Sequence, residues 1–113
     1  MPLLQIKTNQ PLPDERSALL QRLSAEVAGM LGKPERYVMV SLEHNPDMLF
    51  AGSDAPLAYL ELKSIGLPQD ATRDYSASLC RLIGEALEIP TERIYIEFSD
   101  APRALWGWNG STF

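Results

Sequence analysis

Leu4-Gln5-Ile6-Lys7-Thr8 is answered 56 residues later by Leu60-Glu61-Leu62-Lys63-Ser64. Both pentapeptides run apolar, polar, apolar, basic, hydroxyl. That alternation is the period of a strand with one buried face. The correspondence continues through Leu23 and Leu79, Val27 and Ile83, Leu31 and Leu87, and Pro34 and Pro90. After one inserted residue, Glu35-Arg36 is matched to Glu92-Arg93. A repeat of this length is one supersecondary unit that cannot bury its apolar face alone. The two halves, 1–56 and 57–113, therefore form a single domain.

Each half has the same grammar. Leu3 to Thr8 reads as a strand, and Pro11 and Pro13 punctuate the chain after it. Asp14 is expected to cap a helix, with Glu15 in its first turn. Leu19, Leu20, Leu23, Val27, Met30 and Leu31 then recur at helical spacing. Gly32 suits the left-handed residue after a helix end, and Pro34 prevents further winding. Tyr37 to Glu43 alternates as a strand, with Val38, Val40 and Leu42 on one face. In the second half the strand is Ala58 to Ser64 and the helix runs from about Asp70 to Leu87. Ile94, Ile96 and Phe98 form one face of the last strand.

Two βαβ units result, each with a right-handed crossover and parallel strands. The fold class is α/β: a four-stranded mixed sheet with both helices on one face. The other face would carry Gln5, Lys7, Met39, Tyr59, Glu61 and Glu97. It is too apolar to leave bare and too polar for a dry core. A symmetric oligomer with a partly wet interior resolves this.

Composition removes several function classes. The chain has 113 residues and a net charge of −5, and its basic residues are scattered singly, so no nucleic-acid footprint is present. One cysteine, Cys80, and one histidine, His44, exclude a disulfide framework and argue against a metal site or a Ser-His-Asp triad. No apolar run approaches a membrane span, and the N-terminus turns polar too early for a signal peptide. A cytoplasmic protein without metal or organic cofactor is expected.

Chemistry must then come from elsewhere. Methionine is normally trimmed before a small residue, which would expose Pro2 as a secondary amine. An α-amino group titrates near 7.7–8.0, and burial in an apolar pocket lowers that further. Such an amine is poised as a base near neutral pH. Most Met-Pro starts carry no such role. Lys33, after the helix end, is either a solvated charge at the helix dipole or a clamp for a carboxylate or developing enolate. Ser64-Ile65-Gly66 is either a strand entering a loop or a backbone N–H site for a substrate oxygen. Tyr37, Tyr95, Trp106, Trp108 and Phe113 offer aromatic walls, although aromatics more often pack in cores. The tail Gly107-Trp108-Asn109-Gly110-Ser111-Thr112-Phe113 is too polar and glycine-rich for a simple core segment. Asn109-Gly110-Ser111 also fits a glycosylation sequon, here read as a chance match.

The chain resembles the macrophage migration inhibitory factor family from end to end. The shared pattern includes Pro2, Thr8-Asn9, Gly32-Lys33-Pro34, Tyr37, Ser64-Ile65-Gly66, Cys80, Arg93, Tyr95-Ile96 and the Gly107-Trp108-Asn109 tail through Phe113. The resemblance implies a homotrimer with active sites between subunits. It implies Pro2 as catalytic base, and substrate binding by Lys33, the Ser64–Ile65 backbone, and Tyr95 from the neighbouring subunit. It implies tautomerisation of phenylpyruvate-type 2-oxo acids, with Trp106, Trp108, Tyr37 and Phe113 as pocket wall. Animal members are also leaderless secreted cytokines. The alternative is thus a binding or signalling protein with weak or vestigial activity and an unknown receptor. Two departures bear on function. Leu57 and Leu60 stand where animal members often carry a C-x-x-C, so thiol-redox activity is not expected. Glu97 stands where they carry Asn, adding negative charge near the far end of the substrate.

Overall fold

The computed structural model describes all 113 residues. The strands are β1 (Leu3–Thr8), β2 (Met39–His44), β3 (Ala58–Ile65) and β4 (Ile94–Ala101), and the helices are α1 (Arg16–Leu31) and α2 (Thr72–Leu87). The sheet order is β2-β1-β3-β4. β1 and β2 are parallel, as are β3 and β4, whereas β1 and β3 run antiparallel at the centre. The expected pair of βαβ units is therefore present.

The repeat is kept in register throughout. β1 pairs with β2 at a separation of 36 residues (Leu3 with Met39), and β3 pairs with β4 at the same separation (Ala58 with Ile94). α1 and α2 begin at Arg16 and Thr72 and both have 16 residues. Single 3-10 turns precede the second strand of each half, at Glu35–Tyr37 and Thr91–Arg93. The helices and the 3-10 turns are each offset by 56, so the inserted residue expected near Glu92 is absent. Arg36 is structurally equivalent to Glu92, and Tyr37 to Arg93. Between the central strands, Gln5 faces Glu61, its own counterpart in the repeat. The pseudo-twofold axis of the domain passes through that pair.

Alternation decides what the sheet buries. Leu4, Ile6 and Thr8 of β1 face the helices together with Ala58, Leu60, Leu62 and Ser64 of β3. Leu23 and Val27 of α1 and Leu79 and Ile83 of α2 close over them with no solvent exposure. Each such aliphatic side chain stabilises the fold by roughly 1.5–3 kcal/mol through removal from water. The buried Thr8 hydroxyl donates to the Leu57 carbonyl at 2.7 Å and accepts from the Gln10 amide at 3.1 Å, so its burial carries no unmet polar group.

Helix α1 departs from expectation at its start. It begins at Arg16 with Glu15 as N-cap, and no side chain caps it. The Arg16 amide instead bonds to the Pro13 carbonyl at 3.1 Å, in a turn that carries Asp14 past the capping position. The second strand is also shorter than its pattern. Tyr37 closes a 3-10 turn and the strand starts at Met39, which releases the Tyr37 ring from the sheet. The chain ends in a hairpin, β5 (Gly107–Trp108) with β6 (Ser111–Thr112), turned by Asn109 and Gly110 at positive φ. No helix is long and apolar enough to cross a membrane.

Candidate functional site

Pro2 sits directly before β1, and its carbonyl accepts the Met39 amide at 3.0 Å. That bond ties the N-terminus to the first residue of β2. The Pro2 side chain is fully buried, at the base of a cavity of about 600 Å³. A hollow of about 730 Å³ beside Cys80 on α2 is larger, but it has no aromatic wall.

The cavity gathers residues from the N-terminus, the turn before β2, β3, the end of β4 and the C-terminal segment. Met1, Pro2 and Leu3 form the floor, and Tyr37, Val38 and Met39 form one side. The C-terminal segment supplies the opposite side through Leu105, Trp106, Trp108 and Phe113. Trp108 stacks on Phe113 with centroids 5.2 Å apart and planes 10° apart. Tyr37 meets both rings edge-on, at 5.5 and 5.9 Å. Edge-on and offset arrangements of this kind favour a fixed aromatic cluster over a mobile one. The tail is held in place by the Phe113 amide, which donates to the Trp106 carbonyl at 3.2 Å, and by Arg103 Nε, which donates to the Phe113 carbonyl at 3.3 Å.

The ammonium of Met1, the residue ahead of Pro2, is held below its ordinary value, first by burial, then by the charges of Lys33 and Arg103. Lys33 is half-buried and follows Gly32, whose left-handed backbone ends α1 as expected. It lies outside the lining itself but within the field of the amine.

The other expected site residues are placed differently. Strand alternation turns the Ser64 side chain to the helix side, where it is fully buried and its hydroxyl donates to the Ile65 carbonyl at 3.3 Å, so only its backbone is left for the expected role. It cannot meet a substrate through that hydroxyl. Ile65 is half-buried and pairs with Ala101, which lines the cavity. Tyr95 stands at the opposite end of the sheet, 65% exposed, with its ring 4.6 Å from that of Phe50. It is not among the residues that line the Pro2 cavity. Glu97 lies on the open sheet face. Its Oε2 is 2.5 Å from the Tyr59 hydroxyl, which is also 2.9 Å from Glu61. The hydrogen bond to Glu97, and then that to Glu61, push the Tyr59 phenol well above its usual range. Hydrogen bonding by Tyr59 in turn holds the Glu61 carboxyl down, with help from Lys63 at 3.4 Å.

Arg36, Met39, Lys63, Ala101 and Leu105 line the cavity and were not among the residues singled out from sequence. The central antiparallel register places Lys63 opposite Leu3, and the parallel one places Ala101 beside Ile65. Neither pairing is visible before the strands are joined.

Residues 1–113 match the family model described as macrophage migration inhibitory factor (MIF). The macrophage migration inhibitory factor of Meriones unguiculatus is 40% identical over all of this chain and 99% of its own length. The homolog from Brugia malayi shows the same identity and coverage. Among solved structures, a macrophage migration inhibitory factor homologue from Prochlorococcus marinus is 47% identical and superposes with a TM-score of 0.94, over 98% of both chains. The Trichinella spiralis protein, at 35% identity, gives a TM-score of 0.91 over 98% of this chain and 99% of its own.

Proposed function

Because this chain belongs to the macrophage migration inhibitory factor family, we propose that it is a keto–enol tautomerase of small aromatic 2-oxo acids, acting as a homotrimer with Pro2 as its base. The observation that carries this reading is the floor of the cavity. Pro2 lies fully buried in a cavity walled by aromatic rings, and the Met1 ammonium beside it is held below its ordinary value by burial and then by Lys33 and Arg103, surroundings that would equally favour a neutral amine at Pro2.

With Met1 removed, the Pro2 nitrogen takes a proton from C3 of the 2-oxo acid. The electrons of that C–H bond form the C2–C3 double bond, and the carbonyl oxygen becomes an enolate. The same proton, or one exchanged for it, returns to that oxygen and regenerates the neutral amine. Net composition is unchanged, and no cofactor is required. Lys33 and the Ile65 backbone hold the oxygens, a role that preorganised charge and N–H donors perform at low reorganisation cost. The aromatic cluster holds the ring. Tyr95 and the exposed Met39 and Leu49 support the trimer, since they are apolar surfaces left unpartnered in a single chain. Sedimentation should give a species of three times the 12.6 kDa chain mass.

Phenylpyruvate ketonisation, followed by ultraviolet absorbance, tests the activity. Intact mass should show loss of Met1. Inserting Ala between Met1 and Pro2 converts the secondary amine to an amide and should cost on the order of 10²–10⁴ in rate, the usual contribution of a general base. Full activity in that variant would remove Pro2 from the mechanism. No turnover by the unaltered protein would leave the binding or signalling reading.

A further inference from the structure

The cavity wall is basic in an acidic molecule. The chain carries 15 acidic and 10 basic residues, yet Arg36 and Lys63 line the cavity with no Asp or Glu among the lining residues. The two cations differ in what holds them. Lys63 is paired with Glu61 at 3.4 Å. Arg36 has no carboxylate partner, and its guanidinium lies over the Tyr37 ring, 4.9 Å from the centroid. Glu35, its neighbour in the chain, is not part of the lining, and Glu97 is engaged by Tyr59 on the open sheet face.

The place of Arg36 is fixed through both its backbone and its ring contact. It sits in the 3-10 turn Glu35–Tyr37, which is closed by the Tyr37 amide on the Pro34 carbonyl at 3.1 Å and the Val38 amide on the Glu35 carbonyl at 2.9 Å. The Tyr37 ring is held in turn by edge contacts with Trp108 and Phe113. The turn itself does not demand an arginine, since Glu92 occupies the equivalent position in the matching turn of the second half. A guanidinium resting on an aromatic ring keeps its N–H donors free for a carboxylate, which it can grip through two parallel bonds. Lys33, by contrast, lies outside the lining.

We infer that Arg36 is a specificity-determining residue: it contacts the carboxylate of the 2-oxo acid, in addition to Lys33, and selects acids over their neutral esters. This deepens the tautomerase reading and rests on it. A 2-oxo acid in the cavity has one negative group to place, and Arg36 is the unpaired cation in the wall that can meet it. The residue did not come forward from the sequence, where it is one of several scattered basic residues.

Phenylpyruvate and its methyl ester, assayed side by side at low ionic strength, test it. Arg36→Gln should lower kcat/KM for the acid about tenfold, mainly through KM, the scale of one charge-assisted hydrogen bond. The ester, which offers no charge to the guanidinium, should lose far less. Arg36→Lys keeps the charge without the fork and should recover part of the loss on the acid. An acid-to-ester ratio that Arg36→Gln leaves in place overturns the inference. Equal losses for acid and ester overturn it too, because they mark Arg36 as a mere support for the Tyr37 ring. So does a Lys variant no better than the Gln variant. If the unaltered protein turns over neither compound, the tautomerase reading fails by itself. Quenching of Trp106 and Trp108 fluorescence then decides the role of Arg36 separately. Phenylpyruvate binding weakened about tenfold in Arg36→Gln sustains it, and equal binding overturns it.

Discussion

The two halves of this chain share one backbone and divide its duties. At a constant offset of 56, Pro2 corresponds to Ala58, Lys33 to Ile89 and Tyr37 to Arg93. The first member of each pair is at or near the cavity. The second is structural: Ala58 and Ile89 are buried core, and Arg93 holds a loop. Its guanidinium donates to the carbonyls of Pro56, Phe50, Ser53 and Ala55 at 2.9–3.1 Å, and lies 5.2 Å from the Phe50 centroid. Equivalent positions after the 3-10 turn thus send a ring into a cavity in one half and a cation into a loop in the other. The backbone supplies a place, and the side chain decides whether it becomes a site or a brace.

Arg93 should show the largest effect if this division holds. Arg93→Met keeps the stem but strands four carbonyls, and should lower stability by about 3 kcal/mol, since each charged bond lost and each buried acceptor left unpaired costs on the order of 1–3 kcal/mol. Urea denaturation reads it. Tyr37→Leu, at the equivalent position, should change stability much less while weakening substrate binding. Comparable destabilisation by both would erase the distinction.

Lys33→Ile gives the first half the residue of the second. It should cost phenylpyruvate about tenfold in kcat/KM, the scale of one charge-assisted contact, and cost its methyl ester less. Lys33 lowers the pKa of the Met1 ammonium in part, so removing that charge should raise the pKa of an amine exposed at Pro2. The neutral base exists only above that pKa, so the acidic limb of the pH–rate profile should move to higher pH and activity near pH 6 should fall. A limb that stays put would separate Lys33 from the base.

The helix ends offer the smallest contrast. Gly32 at φ 62° and Glu88 at φ 56° both end a helix in the left-handed region, each followed by an amide bonded at 3.0 Å to the helix. A Cβ on Gly32 would meet nothing within 4 Å, so Gly32→Ala should cost only the backbone penalty, about 1 kcal/mol. Glu88→Gly relieves the same strain but loosens the unfolded chain, and should stabilise by less than about 0.5 kcal/mol. Melting temperatures of the two variants that shift by equal amounts in the same direction would contradict the account.

Much of this architecture is legible in the sequence because it depends on period. Strand alternation at Leu4 and Leu60, and helical spacing from Leu19 and Leu79, put the core where it is found. Identity misled where geometry did not follow it. Glu35-Arg36 and Glu92-Arg93 share letters, but Pro34/Pro90 and Val38/Ile94 fix the backbone, and the extra residue disappears. Asn109-Gly110, flanked by Trp108 and Ser111, carries a hairpin-turn signal that its match to a sequon obscures. The site was half visible. Pro2, Tyr37, Trp106, Trp108 and Phe113 come together as expected, because chain end, turn and tail carry distinctive residues. Arg36, Arg103 and Lys63 did not stand out, since a lone cation acquires meaning only from what it faces. Glu97 illustrates the converse. Its odd charge was plain, but its engagement by Tyr59, rather than by Lys7 or Lys63, depends on parallel registry between β3 and β4.

The antiparallel pair at the middle of the sheet also sets a timetable for synthesis. Both central strands are the first strand of their half, so β1 ends at Thr8 and its inner neighbour begins only at Ala58. At translation rates of about 5–20 residues per second, β1 waits roughly 3–10 s for that partner. Meanwhile the emerging first half can form its βαβ unit and nothing more. Leu4 and Ile6 then lie on a strand with one bare edge and no second helix above them. A nascent chain halted with residues 1–57 emerged from the ribosome would present that edge to whatever is nearby, a nascent copy of the same chain included. The interval ends only when β3 emerges and the two halves meet across Gln5 and Glu61.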